Sequence, residues 1–185
     1  FSMLPAEYGG AGLDFLELAY MYEVLAYAVG ASALFGVVAP NSGNQSILVK
    51  YGTEAQQERW LKPLLAGEIR SSYAMTEPQV ASSDATNIEL RIRREGDEWV
   101  LDGRKWFITG AADPRCKICI VMGVTDPAAE AHRRHSMVLV PIATPGVTRP
   151  ADRPVPICDD TTRDLPDRRR APRRRRPARP VPRAF

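Results

Sequence analysis

The strongest restriction on the fold is a change of hydrophobic periodicity near residue 70. Before it, apolar residues recur at the spacing of an α-helix, for example over residues 13–29 and 60–65. After it, apolar and polar residues alternate as in half-buried strands, for example over residues 90–93 and 99–103. The sequence therefore predicts an α+β chain in which a helical segment precedes a small β domain.

Capping and stop signals set the ends of the predicted helices. Asp14 is followed three residues later by Glu17, and Thr53 by Gln56, which is the spacing of a capping box at a helix N-terminus. The predicted helices end at glycine or proline residues, namely Gly30, Pro40, Gly52 and Gly67. We therefore expect several helices within residues 1–70.

The predicted β domain occupies residues 71–148. Its strands are expected to be antiparallel and to lie at residues 90–93, 99–103, 106–109, 118–124 and 137–141. Glu95-Gly96-Asp97 predicts a hairpin turn between the first two strands. His132 and His135 belong to an arginine-rich polar segment around residues 126–134, for which a solvated loop is favoured over a metal site.

Residues 149–185 differ from the rest of the chain in composition and charge. They contain 12 arginine and 8 proline residues, and their net charge of +7 contrasts with −4 for residues 1–148. We expect this segment to be disordered, because its few large apolar side chains cannot offset the entropy of ordering. Our hypothesis for its origin is a frameshift in a GC-rich gene, since such codons, when shifted, encode arginine, proline and alanine; resequencing the gene tests it.

The arginine runs of this segment raise the question of nucleic-acid binding. Arg168–Arg170 and Arg173–Arg176 would contact phosphates without sequence specificity. Phe185 is the only aromatic residue of the segment, so almost no surface is offered for base stacking. We therefore expect nucleic acid to be an adventitious ligand and not a selected partner.

The three cysteines, Cys116, Cys119 and Cys158, are too few for a disulfide framework. Cys116 and Cys119 have the C-x-x-C spacing of redox and zinc sites, but no second pair of ligands stands at a matching spacing. We interpret them as packed cysteines of a predicted strand and assign no metal.

The first residues and the apolar runs of the sequence bear on its targeting. Residues 1–5 lack the basic and apolar regions of a secretory signal peptide, and the chain is expected to begin in mid-protein. No run of 18 apolar residues is present, so no membrane-spanning helix is expected. These observations favour a cytoplasmic protein.

Five motifs occur in an order that resembles the acyl-CoA dehydrogenase family. The central one is Tyr73-Ala74-Met75-Thr76-Glu77-Pro78 with Ser82-Ser83-Asp84-Ala85, which is similar to the flavin-binding signature of that family. The others lie at residues 5–12, 51–57, 102–105 and 107–110. The resemblance covers residues 3–148, and the form of the central motif is similar to the subgroup that acts on long or unusual acyl chains.

This resemblance implies a three-domain fold. Family members have an N-terminal helical domain, a barrel-like middle β domain and a C-terminal four-helix bundle, with FAD between the last two. Residues 1–70 would be the C-terminal part of the first domain, and residues 71–148 the middle domain. The bundle carries the glutamate that acts as catalytic base and has no counterpart here. We therefore assign no catalytic residue and expect a fragment that is inactive alone.

The resemblance also implies a cofactor and its contacts. Family members oxidise acyl-CoA thioesters in fatty acid β-oxidation: flavin N5 accepts a hydride from the β-carbon while a carboxylate removes the α-proton. Donors along the flavin edge stabilise the reduced ring. The residues that match the family's FAD contacts are Tyr73, Ala74, Met75, Thr76, Ser82, Phe107, Ile108 and Thr109. Thr109 is expected at N5, and Phe107 against the ring.

Other residues of the motifs receive separate assignments. Ser83 matches the serine that contacts the thioester ligand. Glu77 is interpreted as structural, because the family's base comes from elsewhere in the chain. Phe107 stands where the family more often has tryptophan. Trp106 is expected to point to the opposite face of the predicted strand, and so would not replace that ring.

Two alternatives to an acyl-CoA dehydrogenase fragment stay open at this stage. An oxidase would share the fold and pass electrons to oxygen, whereas a non-catalytic remnant would perform no redox chemistry. The partners implied by the family are an acyl-CoA thioester, an electron-transfer flavoprotein or similar acceptor, and further copies of the chain in a homo-oligomer.

Overall fold

The computed structural model describes residues 4–148. Residues 1–3 and 149–185 lie outside the described residues, and with them the predictions for the arginine-rich segment and for Cys158. Within residues 4–148, no helix has the length and apolar character needed to cross a membrane.

The first half of the described chain is helical, as predicted. Its helices are α1 (Phe15–Ala26), α2 (Ala31–Leu34), α3 (Asn41–Tyr51), α4 (Glu54–Gln56) and α5 (Lys62–Leu65). A 3-10 turn at Ala6–Tyr8 precedes them, and a π-helical segment, Gln57–Leu61, joins α4 to α5. Leu48, Leu61 and Leu64 pack together and form a small apolar core between α3 and α5.

Both predicted capping boxes are present, which explains where α1 and α4 begin. The Asp14 carboxylate accepts a hydrogen bond from the Glu17 backbone N–H at 2.9 Å, and the Glu17 carboxylate accepts one from the Asp14 N–H at 2.9 Å. Thr53 Oγ1 accepts from the Gln56 N–H at 3.3 Å, and Gln56 Oε1 accepts from the Thr53 N–H at 3.0 Å. Each box satisfies N–H groups that lack an intrahelical acceptor.

One face of α1 is both apolar and exposed. Leu16, Tyr20, Val24 and Tyr27 recur at helical spacing on this face, and their exposed fractions lie between 62% and 84%. An apolar stripe on a helix is normally buried against another element. The remainder of residues 4–148 does not cover this stripe.

The second half of the described chain forms a five-stranded sheet. Its strands are β1 (Arg70–Ala74), β2 (Arg91–Glu95), β3 (Glu98–Asp102), β4 (Cys116–Val124) and β5 (His135–Pro141). β4 is central, because it pairs with β1, with β5 and, through one residue, with β2, while β3 pairs with β2. Gly96 and Asp97 form the predicted turn of the β2–β3 hairpin, where Gly96 adopts a φ of 61°.

Strand direction differs in part from the prediction. The α+β class is confirmed, and the β2–β3 and β4–β5 pairs are antiparallel, as expected. The β1–β4 pair is parallel, with Tyr73 opposite Ile120, and β2 meets β4 in a parallel pairing of Arg91 with Val124. The long connection over residues 75–115 explains the parallel pair, because it lets β4 return beside β1 in the same direction.

The prediction of a strand at residues 106–109 is wrong. This segment is irregular, and Phe107 has a φ of 51°, which lies in the left-handed region and does not belong to a strand. The Trp106 N–H donates to Thr76 O at 3.1 Å, so the segment is anchored to another loop instead of to a sheet ladder.

The prediction for the two histidines is corrected at one position. His132 is exposed in the connection between β4 and β5, as expected. His135 is the first residue of β5, because the antiparallel ladder extends to its pairing with Val124, and its Nε2 lies 3.2 Å from Ile88 O. Residues 4–148 contain no group of three or more His, Cys, Asp or Glu side chains placed to hold a metal ion.

The main apolar core lies on the sheet. Its buried residues come from strands β1, β2, β4 and β5 and from the segment before β2: Ala74, Leu90, Ile92, Cys119, Val121 and Val140. Trp99 and Leu101 of β3 and Ile108 of the following loop pack against it. The loop that follows β3 is thus fixed to the same core as the strands.

Cys116 and Cys119 are buried residues of β4, which confirms their interpretation as strand cysteines. Burial raises the pKa of the Cys119 thiol to about 11. Since the thiolate is the reactive form, a thiol with so high a pKa is a weak nucleophile at neutral pH.

We expect Cys119 to resist alkylation in the folded chain. At pH 8 an ordinary thiol is partly ionised, whereas a thiol with a pKa of about 11 is ionised roughly 100-fold less. Iodoacetamide should therefore modify Cys119 about 100-fold more slowly in buffer than in urea, as measured by mass spectrometry of its peptide. Equal rates in the two solvents would show that the thiol is accessible and would contradict its burial in β4.

Candidate functional site

The two segments predicted to contact the cofactor lie side by side. Residues 75–76 follow β1, and residues 106–109 follow β3. The Trp106 N–H donates to Thr76 O at 3.1 Å, and the Thr76 hydroxyl donates to Trp106 O. These reciprocal bonds join residues that are 30 positions apart in the sequence.

Tyr73 and Ala74 are the last two residues of β1, the strand that leads into residues 75–76. Tyr73 is half-buried, and its hydroxyl lies 3.3 Å from Met137 Sδ and 3.9 Å from Met122 Sδ. Burial raises the pKa of Tyr73, so this hydroxyl stays protonated at neutral pH. The Ala74 side chain is buried in the main core, which leaves only its backbone to meet a ligand.

Met75 and Thr76 lie where the chain leaves β1, and both are half-buried. Met75 O accepts a hydrogen bond from Lys105 Nζ at 2.8 Å. The Thr76 proton is donated to Trp106 O, but a hydroxyl oxygen keeps lone pairs that can accept a further bond. Thr76 is therefore suited to accept a hydrogen bond from a ligand while it holds the neighbouring loop.

Phe107, Ile108 and Thr109 place three kinds of side chain in one loop. Phe107 is 44% exposed, Ile108 packs against the main core, and Thr109 is exposed. An aromatic ring and a hydroxyl are thus presented to solvent from a loop whose centre is anchored in the core.

Trp106 does not point away from Phe107, and this prediction is corrected. The centroids of the two rings are 4.4 Å apart, and the ring planes are inclined by 53°. Successive side chains point to opposite faces only in a strand, whereas the backbone at Phe107 is left-handed. Trp106 therefore adds aromatic surface beside Phe107.

Ser82 and Ser83 have different environments although they are adjacent. Ser82 is 6% exposed, and its hydroxyl accepts from the Glu77 N–H at 2.8 Å and lies 3.2 Å from Val80 O. Ser83 is exposed. The hydroxyl of Ser82 closes the turn that follows Glu77, while that of Ser83 faces solvent and is available to a ligand.

An ion pair that the sequence analysis missed lies behind these loops. Glu77 Oε1 and Lys105 Nζ are 2.8 Å apart, and their side chains are 4% and 9% exposed. The Glu77 carboxylate also accepts the backbone N–H groups of Glu89 and Leu90, both at 2.8 Å. This use of both carboxylate oxygens supports a structural role for Glu77. Only the membership of both residues in the recognised motifs signalled a link, since 28 positions separate them.

The electrostatics of this pair follow from its burial and its partners. Burial disfavours the charged Glu77 carboxylate, but the hydrogen bonds from Lys105 and from two backbone N–H groups outweigh it and lower the pKa of Glu77. Burial lowers the pKa of Lys105, and the Glu77 carboxylate opposes this change only in part. Glu77, whose pKa is lowered, is ionised at neutral pH. The stabilisation contributed by Glu77 is lost as the pH falls through its lowered pKa.

The structure has a groove of about 430 Å³, and some of the residues that line it are close to Ser82 and Ser83 in the sequence. Its lining combines apolar, amide, hydroxyl and charged groups, from Val80, Ala81, Thr86, Asn87, Ile88, Glu89 and Arg134. The Arg134 Nε atom is buried and has no hydrogen-bond partner among the described residues. Arg134 also lines the groove, and a guanidinium group is suited to bind an anionic or carbonyl group.

Known protein families match both halves of the chain. The acyl-CoA dehydrogenase N-terminal domain matches residues 2–68, and the acyl-CoA dehydrogenase middle domain matches residues 72–165. Acyl-CoA dehydrogenase family member 10 of Mus musculus is 54% identical over 144 residues, which are 78% of this chain and 14% of the mouse protein. "Probable acyl-CoA dehydrogenase FadE2" of Mycobacterium tuberculosis is 54% identical over 146 residues, which are 78% of this chain and 36% of that protein. The chain thus spans little more than a third, at most, of these relatives.

Solved structures share the fold of the described residues. A Mycobacterium abscessus protein has 52% identity and a TM-score of 0.72 over 74% of this chain and 34% of its own. A glutaryl-CoA dehydrogenase from Mycobacterium smegmatis in complex with FADH2 has 28% identity and a TM-score of 0.59, over 75% and 33% of the two chains. The FAD complex of PigA has 27% identity and a TM-score of 0.65, over 77% and 37%. Since the middle-domain match alone covers more than half of its residues, this chain belongs to the acyl-CoA dehydrogenase family.

Proposed function

We propose that this chain is the part of an FAD-dependent acyl-CoA dehydrogenase that holds one side of the flavin. The observation that best supports the proposal is the joining of residues 75–76 to residues 106–109. A flavin site of this family needs both segments together, although they are distant in the sequence. The FADH2 and FAD complexes of two similar structures support the choice of cofactor.

The side chains at this position fit a planar cofactor with a hydrogen-bonding edge. Phe107 and Trp106 offer aromatic surface, which packs well against a flat ring. Thr109 offers an exposed hydroxyl as donor, and the Thr76 oxygen offers an acceptor. In this proposal Tyr73, Ala74, Met75, Ser82 and Ile108 contribute through the backbone or support the loops.

In this proposal the bound flavin supplies the redox chemistry, by taking a hydride from the β-carbon of an acyl-CoA thioester. The described residues would bind and orient the cofactor and stabilise negative charge on its edge through N–H and O–H donors. The base that removes the α-proton would come from another part of the intact enzyme. A chain of this extent is therefore expected to bind ligands without turnover.

The substrate is proposed to be an acyl-CoA thioester with a long or unusual acyl group. The form of the motif that runs from Met75 to Asp84 supports this subgroup. Ser83 is exposed and is close in the sequence to Ala81, which lines the groove. Arg134 of the same groove offers a cation for the phosphates of coenzyme A. From the family resemblance we further propose an electron-transfer flavoprotein or similar acceptor, and a homo-oligomeric enzyme.

An FAD titration of the purified chain tests this proposal. Followed by flavin absorbance and fluorescence, it should give a Kd in the micromolar range, as expected for a half-site with a few hydrogen bonds and one ring contact. Thr109→Ala should raise the Kd about tenfold, because it removes one hydrogen bond to the cofactor. Thr76→Ala should act similarly, since it also releases the bond to Trp106 O.

Thr125→Ala is the matched control for this titration. Thr125 is a half-buried threonine in the connection between β4 and β5, and its hydroxyl contacts Arg134 O and Ser136. Its replacement should leave the Kd for FAD unchanged. Absence of FAD binding by the unaltered chain would contradict the half-site, whereas the family assignment rests on the sequence matches.

A further inference from the structure

The Glu77–Lys105 ion pair connects three loops at the end of the sheet. Glu77 belongs to the loop after β1, and its carboxylate accepts the N–H groups of Glu89 and Leu90, immediately before β2. Lys105 belongs to the loop after β3, and its ammonium donates to the carboxylate and to Met75 O, both at 2.8 Å. One pair of side chains thus fixes the relative position of these loops.

The atoms held by the pair are neighbours of the candidate site. Met75 O directly precedes Thr76, and Lys105 directly precedes Trp106. The Trp106 N–H in turn donates to Thr76 O, and the Thr76 hydroxyl donates to Trp106 O. The ion pair and this pair of bonds therefore act on the same two backbone segments.

The Glu77–Lys105 pair is more deeply buried than the other ion pairs in the described part of the chain. The side chains of Glu77 and Lys105 are 4% and 9% exposed, whereas those of Glu58 and Lys62 are 69% and 68% exposed. An exposed pair contributes little, because water solvates each charge separately. A buried charge that loses its partner is left without solvation, so the local structure depends on the pair.

We infer that Glu77 and Lys105 are a positioning pair, which holds residues 75–76 against residues 106–107 so that Thr76 and Phe107 meet a flavin together. The identity of the ligand rests on the proposed function, but the positioning itself does not. Neither side chain is required to touch the cofactor, since both are buried behind the loops that present it. The pair therefore acts through Thr76 and Phe107.

Amide hydrogen exchange of the full chain without FAD tests the positioning. Lys105→Met keeps the length and the apolar stem of the side chain and removes its charge. The Trp106 amide reports on the loop contact, and the Ile142 amide, which donates to Lys117 O at 2.9 Å, reports on the distant β4–β5 region. The variant should lower protection at Trp106 about tenfold more than at Ile142. Lys62→Met, the same change in the exposed pair, should alter neither amide.

Two outcomes would overturn the inference: unchanged protection at Trp106, or an equal loss at both amides, which indicates only global destabilisation. Should Lys105→Met fail to fold, Glu77→Gln takes its place with the same two amides, since it removes the charge and keeps one acceptor oxygen. In that variant too, a selective loss at Trp106 supports the pair and an equal loss refutes it.

An FAD titration separates this inference from the proposed function. If the unaltered chain binds FAD, Lys105→Met should raise the Kd about tenfold, because the contact residues lose their common orientation, while Lys62→Met should not. Selective exchange at Trp106 without any FAD binding by the unaltered chain would uphold the positioning pair and contradict the proposed half-site. FAD binding that Lys105→Met leaves unchanged would overturn the positioning role while the half-site stands.

Discussion

Replacement of Gly123 by alanine is expected to lower the free energy of unfolding by about 3 kcal/mol. Gly123 lies in β4, where a Cβ atom would stand 2.6 Å from Leu90 Cδ2, 2.7 Å from Leu90 O and 2.8 Å from Ile92 Cγ1. Rotation of one side chain cannot relieve these contacts, because one of the three atoms belongs to the backbone. The segment that carries Leu90 must move away from β4.

This displacement should also reach the candidate site, because the Leu90 N–H donates to the Glu77 carboxylate. Urea unfolding followed by circular dichroism measures the stability change, and Gly43→Ala is the matched control. Gly43 lies in α3, where a Cβ atom meets nothing within 4 Å. Alanine there should be neutral or stabilise by up to about 1 kcal/mol, since glycine is a poor helix former. Equal stability of the two variants would contradict the close packing of Leu90 on Gly123.

Replacement of Ile92 by alanine is expected to cost about 2–5 kcal/mol of stability. Ile92 is 1% exposed in β2 and belongs to the main core with residues of β1, β4 and β5. The alanine loses the transfer free energy of the removed carbon atoms and leaves a cavity that the surrounding strands can fill only in part. Because the same core holds Ile108, we expect FAD binding to weaken as well.

A graded series distinguishes this packing effect from a general effect of substitution in a strand. Ile92→Val should cost about 0.5–1.5 kcal/mol, since it removes one methyl group. Val29→Ala, at a fully exposed position, should change stability by no more than about 0.5 kcal/mol. If Ile92→Ala and Val29→Ala have the same midpoint of urea unfolding, Ile92 is not part of a packed core.

Helix starts and the hairpin were predictable because their causes are local. A capping box involves residues three positions apart, so Asp14 with Glu17 and Thr53 with Gln56 can be read directly from the sequence. The β2–β3 hairpin is similar, because the flanking residues alternate and Gly96 can adopt the positive φ of its turn. The strand predicted at residues 106–109 failed, because a short run of aromatic and β-branched residues also suits a loop that is anchored to the core through Ile108.

The candidate site was only partly predictable, because its contacts join segments that are distant in the sequence. The motifs named the residues around Thr76 and Thr109, and the structure places their two loops together. The orientation of Trp106 toward Phe107 was predicted wrongly, since the left-handed backbone of Phe107 decides it. The contact between Glu77 and Lys105 could not be predicted either, because the separation of two residues along the chain does not determine their distance in space.

The sequence by itself therefore determined the change from helices to strands near residue 70, the β2–β3 hairpin, the capped helix starts, and the family to which the motifs point. These depend on periodicity and on contacts within a few residues. Only the tertiary structure decided that β1 and β4 run parallel, that residues 106–109 form a loop, and that Glu77 meets Lys105 in a buried pair. Each of these arises where segments distant in the chain share one core, and there the burial of charge and apolar surface outweighs local preference.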